Sequence, residues 1–227
     1  MSKILILGDG LLGSELVKQT GWDYTSRKTG FDINNISFTF KPEIIINCIA
    51  HTDTYSNNKD KHWEINYKFV SNLVDYCNLN DIKLVHISTD YLYSNSIENA
   101  SENDVPVHCA TWYGYTKLLS DGYIQLKSNN YLLIRTTHKP KPFPFKSAWK
   151  NLKGNFDYVD KISKLIIILV KNNKKGLYNV GTNSKTILEL AQETNPKVLP
   201  SISDNPNTPT NTTMNIDKLL TELNNIE

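Results

Sequence analysis

Apolar positions along the 227-residue chain follow two rhythms. Short runs recur at Ile4-Leu5-Ile6-Leu7, Ile44-Ile45-Ile46, Leu84-Val85-His86-Ile87 and Leu132-Leu133-Ile134, unbroken except at His86. Each is too short for a helix and shows no polar face, the pattern of parallel strands covered on both sides. Between them the spacing lengthens to three and four residues. Ile65, Phe69, Leu73, Val74 and Cys77 predict a long helix from about 61 to 77, and Ile162, Leu165, Ile166 and Leu169 predict another from 158 to 170. Further helices are expected over 11–19, 112–128, 187–192 and 214–223, with a short strand at 22–25 and a late one at 176–181. Strand alternating with helix implies an α/β, doubly wound parallel sheet with right-handed crossovers.

Regularity stops after Arg135. Lys139-Pro140-Lys141-Pro142-Phe143-Pro144 removes backbone donors and fixes the chain, so a loop or lid is expected there. This divides the chain into a dinucleotide-binding part, 1–138, and a lid, 139–157. A helix and strand, 158–181, return to the first part, and a small, reduced C-terminal part, 182–227, would bind substrate.

The first run ends in Gly8-Asp9-Gly10-Leu11-Leu12-Gly13, and this punctuation gives the sheet a purpose. One glycine permits the tight turn, the next lets backbone approach a pyrophosphate, and the third lets the following helix pack close to its strand. With the strand before it and Ser14-Glu15-Leu16-Val17 after it, the motif reads as the phosphate turn of a Rossmann fold. The second strand ends in Ser26-Arg27-Lys28, two cations and a hydroxyl where NAD-binding folds usually place a carboxylate, which favours NADP(H). Ligands in open α/β sheets bind beyond the carboxyl ends of strands, where Ser88, Thr89 and Asp90 stand.

Composition excludes more than it identifies. A net charge of +2, from 25 basic and 23 acidic residues, gives no field suited to nucleic acid or an anionic membrane. No apolar run approaches the roughly 20 residues of a membrane span, and no signal pattern precedes the first strand, so a soluble, cytoplasmic protein is expected. Cys48, Cys77 and Cys109 are too scattered for a disulfide framework or a zinc site, and no metal site is expected.

Reducing a carbonyl requires a proton donor beside the hydride source. A tyrosine serves if a nearby cation lowers its pKa from about 10, and a lysine four residues later on a helix supplies that cation on the same face. Tyr24/Lys28, Tyr55/Lys59, Tyr113/Lys117 and Tyr123/Lys127 all have the spacing. Tyr113 is selected because its helix begins where the strand ending in Thr89 can converge on it.

Gly8-Asp9-Gly10-Leu11-Leu12-Gly13, Asn47-Cys48-Ile49-Ala50-His51-Thr52, Ser88-Thr89-Asp90-Tyr91-Leu92-Tyr93 and Tyr113-Gly114-Tyr115-Thr116-Lys117 together resemble extended short-chain dehydrogenase/reductases. The pattern is nearest to the dTDP-4-dehydrorhamnose reductase family, and the likeness spans nearly the whole chain. It implies an NADPH-dependent reduction of the C4 keto group of a 4-keto-6-deoxy nucleotide sugar, in a protein that could be a homodimer. Tyr113 would donate the proton, Lys117 would hold the nicotinamide ribose and depress the tyrosine pKa, and Thr89 would orient the carbonyl. Gly8, Gly10, Leu11, Leu12 and Gly13 would hold the pyrophosphate, with Ser26, Arg27 and Lys28 at the 2′-phosphate and Asp32 and Ile33 at adenine. Cys48, Ala50, His51 and Thr52 would flank the nicotinamide, while Asp90, Tyr91 and His138 would touch the sugar.

Departures from that family gather around the sugar. Thr137-His138 replaces the family's Ser-Trp, the stretch between Arg135 and Tyr158 is short, and Thr208-Pro209-Thr210 stands in place of an Arg-Pro pair. Two alternatives therefore accompany the reductase reading. One is an NADP-binding regulatory subunit whose sugar cleft is filled. The other is a bifunctional 3,5-epimerase/4-reductase of the UDP-rhamnose type, with His108, Cys109 and His138 as candidate acid/base groups.

Overall fold

The computed structural model describes residues 3–104 and 110–225. Six parallel strands form the central sheet: β1 (Ile4–Leu7), β2 (Asp23–Thr25), β3 (Ile44–Asn47), β4 (Lys83–Thr89), β5 (Tyr131–Thr136) and a last one at Gly176–Asn179, which is β10 in chain order. Their spatial order is β10-β5-β4-β3-β1-β2. The sequence therefore predicts this doubly wound sheet correctly, with strand ends displaced by a few residues.

The unbroken apolar runs have a direct explanation in the two faces of the sheet. Ile4 and Ile6 of β1 face one layer with Leu12, Leu16, Ile162 and Ile166. Leu5 and Leu7 face the opposite layer with Phe69, Leu73 and Ile124. Successive side chains of a strand alternate faces, so a strand covered on both must be apolar at every position. The first layer is α1 (Leu11–Thr20) with a helix at Val159–Lys171, α5 in chain order. The second holds α4 (Trp112–Lys127) and a long helix composed of α2 (Lys59–His62), a π-wound stretch over Trp63–Lys68 and α3 (Phe69–Asn80).

Beyond β5 the chain folds differently from a free lid. His138–Lys139 (β6) pairs with Asp157–Tyr158 (β9), and Ser147–Trp149 (β7) pairs with Leu199–Ser201 (β12). Lys153–Gly154 (β8) lies between Lys185–Thr186 (β11) and Asn211–Thr212 (β13). Residues 140–146 are irregular, as the prolines dictate, yet Phe143 is buried with Leu152, Phe156, Ile187 and Leu190 in a third apolar cluster. Helix α6 (Ile187–Thr194) opens on a capping box between Thr186 and Glu189, and α7 (Asp217–Asn224) returns to β10. Apolar side chains spaced along the proline-rich segment make it a packed wall. Among the described residues no helix is long and apolar enough to cross a membrane.

Candidate functional site

Between β1 and α1 the chain turns through Gly8, whose φ of 101° is open to glycine and strained for other residues. A Cβ on Gly13 would stand 2.0 Å from the Gly8 carbonyl oxygen, so glycine is what allows α1 to sit this close to the strand. Gly10 precedes α1 without any side-chain cap, and space around it is open to 4 Å. An uncapped helix N-terminus presents N–H groups and a positive dipole end, a setting that suits a pyrophosphate.

A cleft of about 650 Å³ leads from this turn to the sheet edge, past Ser26, Arg27, Lys28, Asp32, Ile33 and His51. Arg27 and Lys28 are exposed along it, with Lys28 Nζ 2.7 Å from Asp9 Oδ2; that contact holds the Asp9 carboxyl below its usual range. Ser26 has another duty. It is buried, and its hydroxyl caps the turn at Arg27–Thr29 by accepting from the Lys28 N–H at 3.2 Å.

A second cleft, about 500 Å³, shares Gly10, Cys48 and Ala50 with the first, so the two join at the carboxyl ends of β1 and β3. Its walls bring together Leu11, Leu12, Gly13 and Thr52 with Thr89, Tyr91, Tyr113 and Lys117, and with Thr136, His138, Lys139 and Trp149 opposite. Cys48 is a protonated thiol, pushed up to about 12 by burial. His51 lines the first cleft and Thr52 the second.

Of the four tyrosine–lysine pairs, Tyr113/Lys117 has both members on this cleft. Tyr55 lines it, but Lys59 turns away to lie 4.6 Å over the Trp112 ring. Tyr123 donates to Asp75 at 3.0 Å on an exposed face, and Tyr24 borders a separate groove. Tyr113 lies in the first turn of α4, which is capped by Thr111 accepting from the Gly114 N–H at 3.1 Å. Its ring packs edge-on to Tyr91, with centroids 6.1 Å apart. Lys117 is buried one turn later, donating to the Ile87 carbonyl at 2.8 Å and lying 3.0 Å from His86 Nε2. Burial lowers its pKa from 10.5 to about 8, against the opposing pull of Asp121 and Cys48.

Asp90 departs from expectation. It is absent from the cleft wall and buried behind it, where its carboxylate accepts from the hydroxyls of Thr137, Thr212 at 2.9 Å and Thr89 at 3.4 Å. Burial raises its pKa, which the threonine hydroxyls oppose. A carboxylate in a buried position requires such partners, and here they tie the ends of β4 and β5 to β13. Tyr91 does face the cleft, its hydroxyl 3.0 Å from that of Tyr55, which in turn lies 2.8 Å from Thr208 Oγ1. His138 lines the cleft too, its pKa lowered to about 4 by burial and by Lys139. His108 and Cys109 lie outside the described residues.

Several groups at the site escape sequence reading. Asn66, on the π-wound stretch, clamps the backbone of His51, accepting from its N–H at 2.8 Å and donating to its carbonyl at 3.1 Å. π turns interrupt helical spacing, so periodicity could not have placed it, although such turns often mark functional sites. Trp149, on β7, places an aromatic side chain on the wall of the second cleft. His51 Nε2, His138 Nδ1 and Thr136 Oγ1, on residues that line the clefts, are buried without a hydrogen-bond partner among the described residues. Joined clefts and an uncapped helix start fit a dinucleotide.

The family model described as RmlD substrate binding domain matches residues 2–138. A curated relative, the spore coat polysaccharide biosynthesis protein SpsK of Bacillus subtilis (strain 168), is 27% identical over 182 residues, which cover 73% of this chain and 59% of that protein. The chain thus spans less than two thirds of that relative's length. Among solved structures, dTDP-4-dehydrorhamnose reductase from Bacillus anthracis str. Ames in complex with NADP superposes with a TM-score of 0.83 at 24% identity, covering 97% of this chain and 91% of that one. A dTDP-4-dehydrorhamnose reductase from Clostridium acetobutylicum ATCC 824 gives 0.82 at 20% identity, covering 96% and 91%. The UDP-glucuronic acid 4-epimerase from Bacillus cereus in complex with NAD gives 0.76 at 18%, covering 97% and 90%. At these identities the structures establish the fold, and the family match over more than half the chain establishes kinship: the protein belongs to the RmlD substrate binding domain family.

Proposed function

We propose that the protein is an NADP(H)-dependent oxidoreductase that reduces the C4 keto group of a 4-keto-6-deoxy nucleotide sugar. One observation carries the reading: the open cleft of about 500 Å³ in which Thr89, Tyr113 and Lys117 face the glycine turn. A regulatory subunit without sugar chemistry would have this space filled. NADP in the B. anthracis structure and the exposed Arg27 and Lys28 support the cofactor assignment. Residues 139–157 and 182–227 would form the substrate-binding part, walling the cleft with His138, Lys139 and Trp149.

The nicotinamide, when bound, supplies the hydride. The chain does the rest. Thr89 Oγ1, turning its one hydrogen from the long 3.4 Å contact with Asp90, donates to the carbonyl oxygen and fixes its direction, while Tyr113 delivers a proton to that oxygen as negative charge develops on it. Lys117 steadies the ribose and the deprotonated tyrosine. Trp149 shields one side of the sugar from water, and Lys139 faces the same space as a partner for anionic oxygens.

Purified protein mixed with NADPH and a dTDP- or UDP-linked 4-keto-6-deoxy sugar should lose absorbance at the nicotinamide band. Tyr113→Phe should lower kcat by about 10²–10⁴-fold, the usual worth of a positioned proton donor, while NADPH affinity is retained. A fully active Tyr113→Phe variant overturns the assignment.

A further inference from the structure

His86 has no part in the reaction as set out above, yet it is wholly buried against Lys117. Its surroundings determine where its proton sits. The Ile49 N–H donates to Asn47 Oδ1 at 3.0 Å, which fixes the orientation of the Asn47 amide. The amide nitrogen then faces His86 Nδ1 at 3.1 Å and donates to it. In a neutral imidazole one nitrogen accepts and the other carries hydrogen, so the proton belongs on Nε2. Burial keeps the ring neutral.

Nε2–H therefore points at Lys117 Nζ, 3.0 Å away. An ammonium has three donors and no lone pair, so a charged Lys117 would set donor against donor. A neutral amine resolves the conflict, accepting from His86 and donating to the Ile87 carbonyl at 2.8 Å. We propose that His86, its tautomer fixed by Asn47, is a positioning residue that favours the neutral amine of Lys117 in the free protein, lowering the pH at which that amine takes up a proton and so making its charge conditional. The other groups that bear on Lys117 are Asp121 from its own helix, already engaged by Arg135 Nε at 2.9 Å, and the Cys48 thiol after β3. Asp121 favours the charged form, so the histidine contact opposes it. Its consequence for turnover rests on the reductase reading; the hydrogen-bond assignment does not.

The test begins with the unaltered free chain. Nitrogen-15 shifts of the His86 ring should show hydrogen on Nε2, and the carbon-13 shift of Lys117 Cε, assigned by its loss in Lys117→Met, should titrate near 8. In Asn47→Asp the carboxylate accepts from Nδ1–H, the proton moves, and Nε2 becomes an acceptor for the ammonium. The Lys117 midpoint should then rise by at least one pH unit, a tenfold gain in proton affinity, and His86→Gln should raise it as well. The pH profile of NADPH oxidation should move in the same direction in folded His86→Gln. Hydrogen on Nδ1, or a Lys117 midpoint near its ordinary 10.5, overturns the proposal. Neither result touches the reductase reading, which stands or falls on Tyr113→Phe.

Discussion

Two neighbouring glycines separate what the phosphate turn does for the fold from what it does for a ligand. At Gly13 an added Cβ would meet the Gly8 carbonyl oxygen at 2.0 Å, whereas real Cβ contacts stay beyond 3.0 Å. Gly13→Ala must therefore push α1 from β1 by about 1 Å, dragging Leu12 and Leu16 out of the core they share with Ile6 and Ile46. Overpacking of this kind costs about 1–3 kcal/mol. In a domain of this size each kcal/mol moves Tm by about 2–4 °C, so Tm should fall by roughly 2–12 °C. The displaced helix start should also lose NADPH. Gly10→Ala is the opposite case, because nothing lies within 4 Å of the added Cβ and φ is −70°. A reduced preference for alanine before a helix offsets the smaller chain entropy of the unfolded state, leaving Tm nearly unchanged. Its methyl, however, projects into the space where the two clefts join, and NADPH binding should weaken at least tenfold. Thermal denaturation and NADPH fluorescence titration on the two variants read both effects. Gly10→Ala binding NADPH as tightly as the parent would refute the path assigned to the pyrophosphate.

Other consequences are equally direct. Arg27→Ala should raise the Kd for NADPH at least tenfold and leave NADH unaffected, while Asp9→Asn, by releasing Lys28 from its 2.7 Å ion pair, should tighten NADPH; calorimetry with both cofactors checks this. His138 has a folded pKa of about 4 against an ordinary 6.5, so between those values the unfolded chain binds a proton that the folded one refuses. Its contribution makes stability decline as pH falls from 6.5 towards 4, and His138→Gln should flatten this acid limb in Tm measurements. Asp121→Asn leaves the buried Arg135 guanidinium without its anion, at a cost of about 3–5 kcal/mol, and Tm should drop by roughly 6–20 °C.

The sheet was legible because strands covered on both faces cannot hide their composition: Ile4 to Leu7 must be apolar throughout, and the glycines must follow where the helix turns back. The placement of Tyr113 and Lys117 on one cleft was legible through chain order, since a helix that starts beyond β4 can meet its end. What remained hidden depended on direction. Asp90 sits beside Thr89 in sequence, but successive residues at the strand end point apart, and its carboxylate turned to Thr137 and Thr212 from distant segments. Asn66 lay on a stretch whose winding departs from 3.6 residues per turn. His86 read as one polar interruption in a buried strand, with nothing in the local sequence to announce the amide on β3 or the lysine on α4. Trp149 was masked by its neighbours, because a short proline-rich connection gives no rhythm from which a wall can be inferred.

The threonine grip on Asp90 also imposes an order of events in time. Thr212 follows Asp90 by 122 residues, so a chain emerging from the ribosome carries a complete glycine turn and most of its parallel sheet long before the hydroxyl that closes the end of β4 exists. Until then Asp90 Oδ1 can have Thr89 and Thr137, but Oδ2 lacks its partner. The glycine turn can thus form early in synthesis, whereas the end of β4 is sealed among the last, by a residue that lies off the cleft wall.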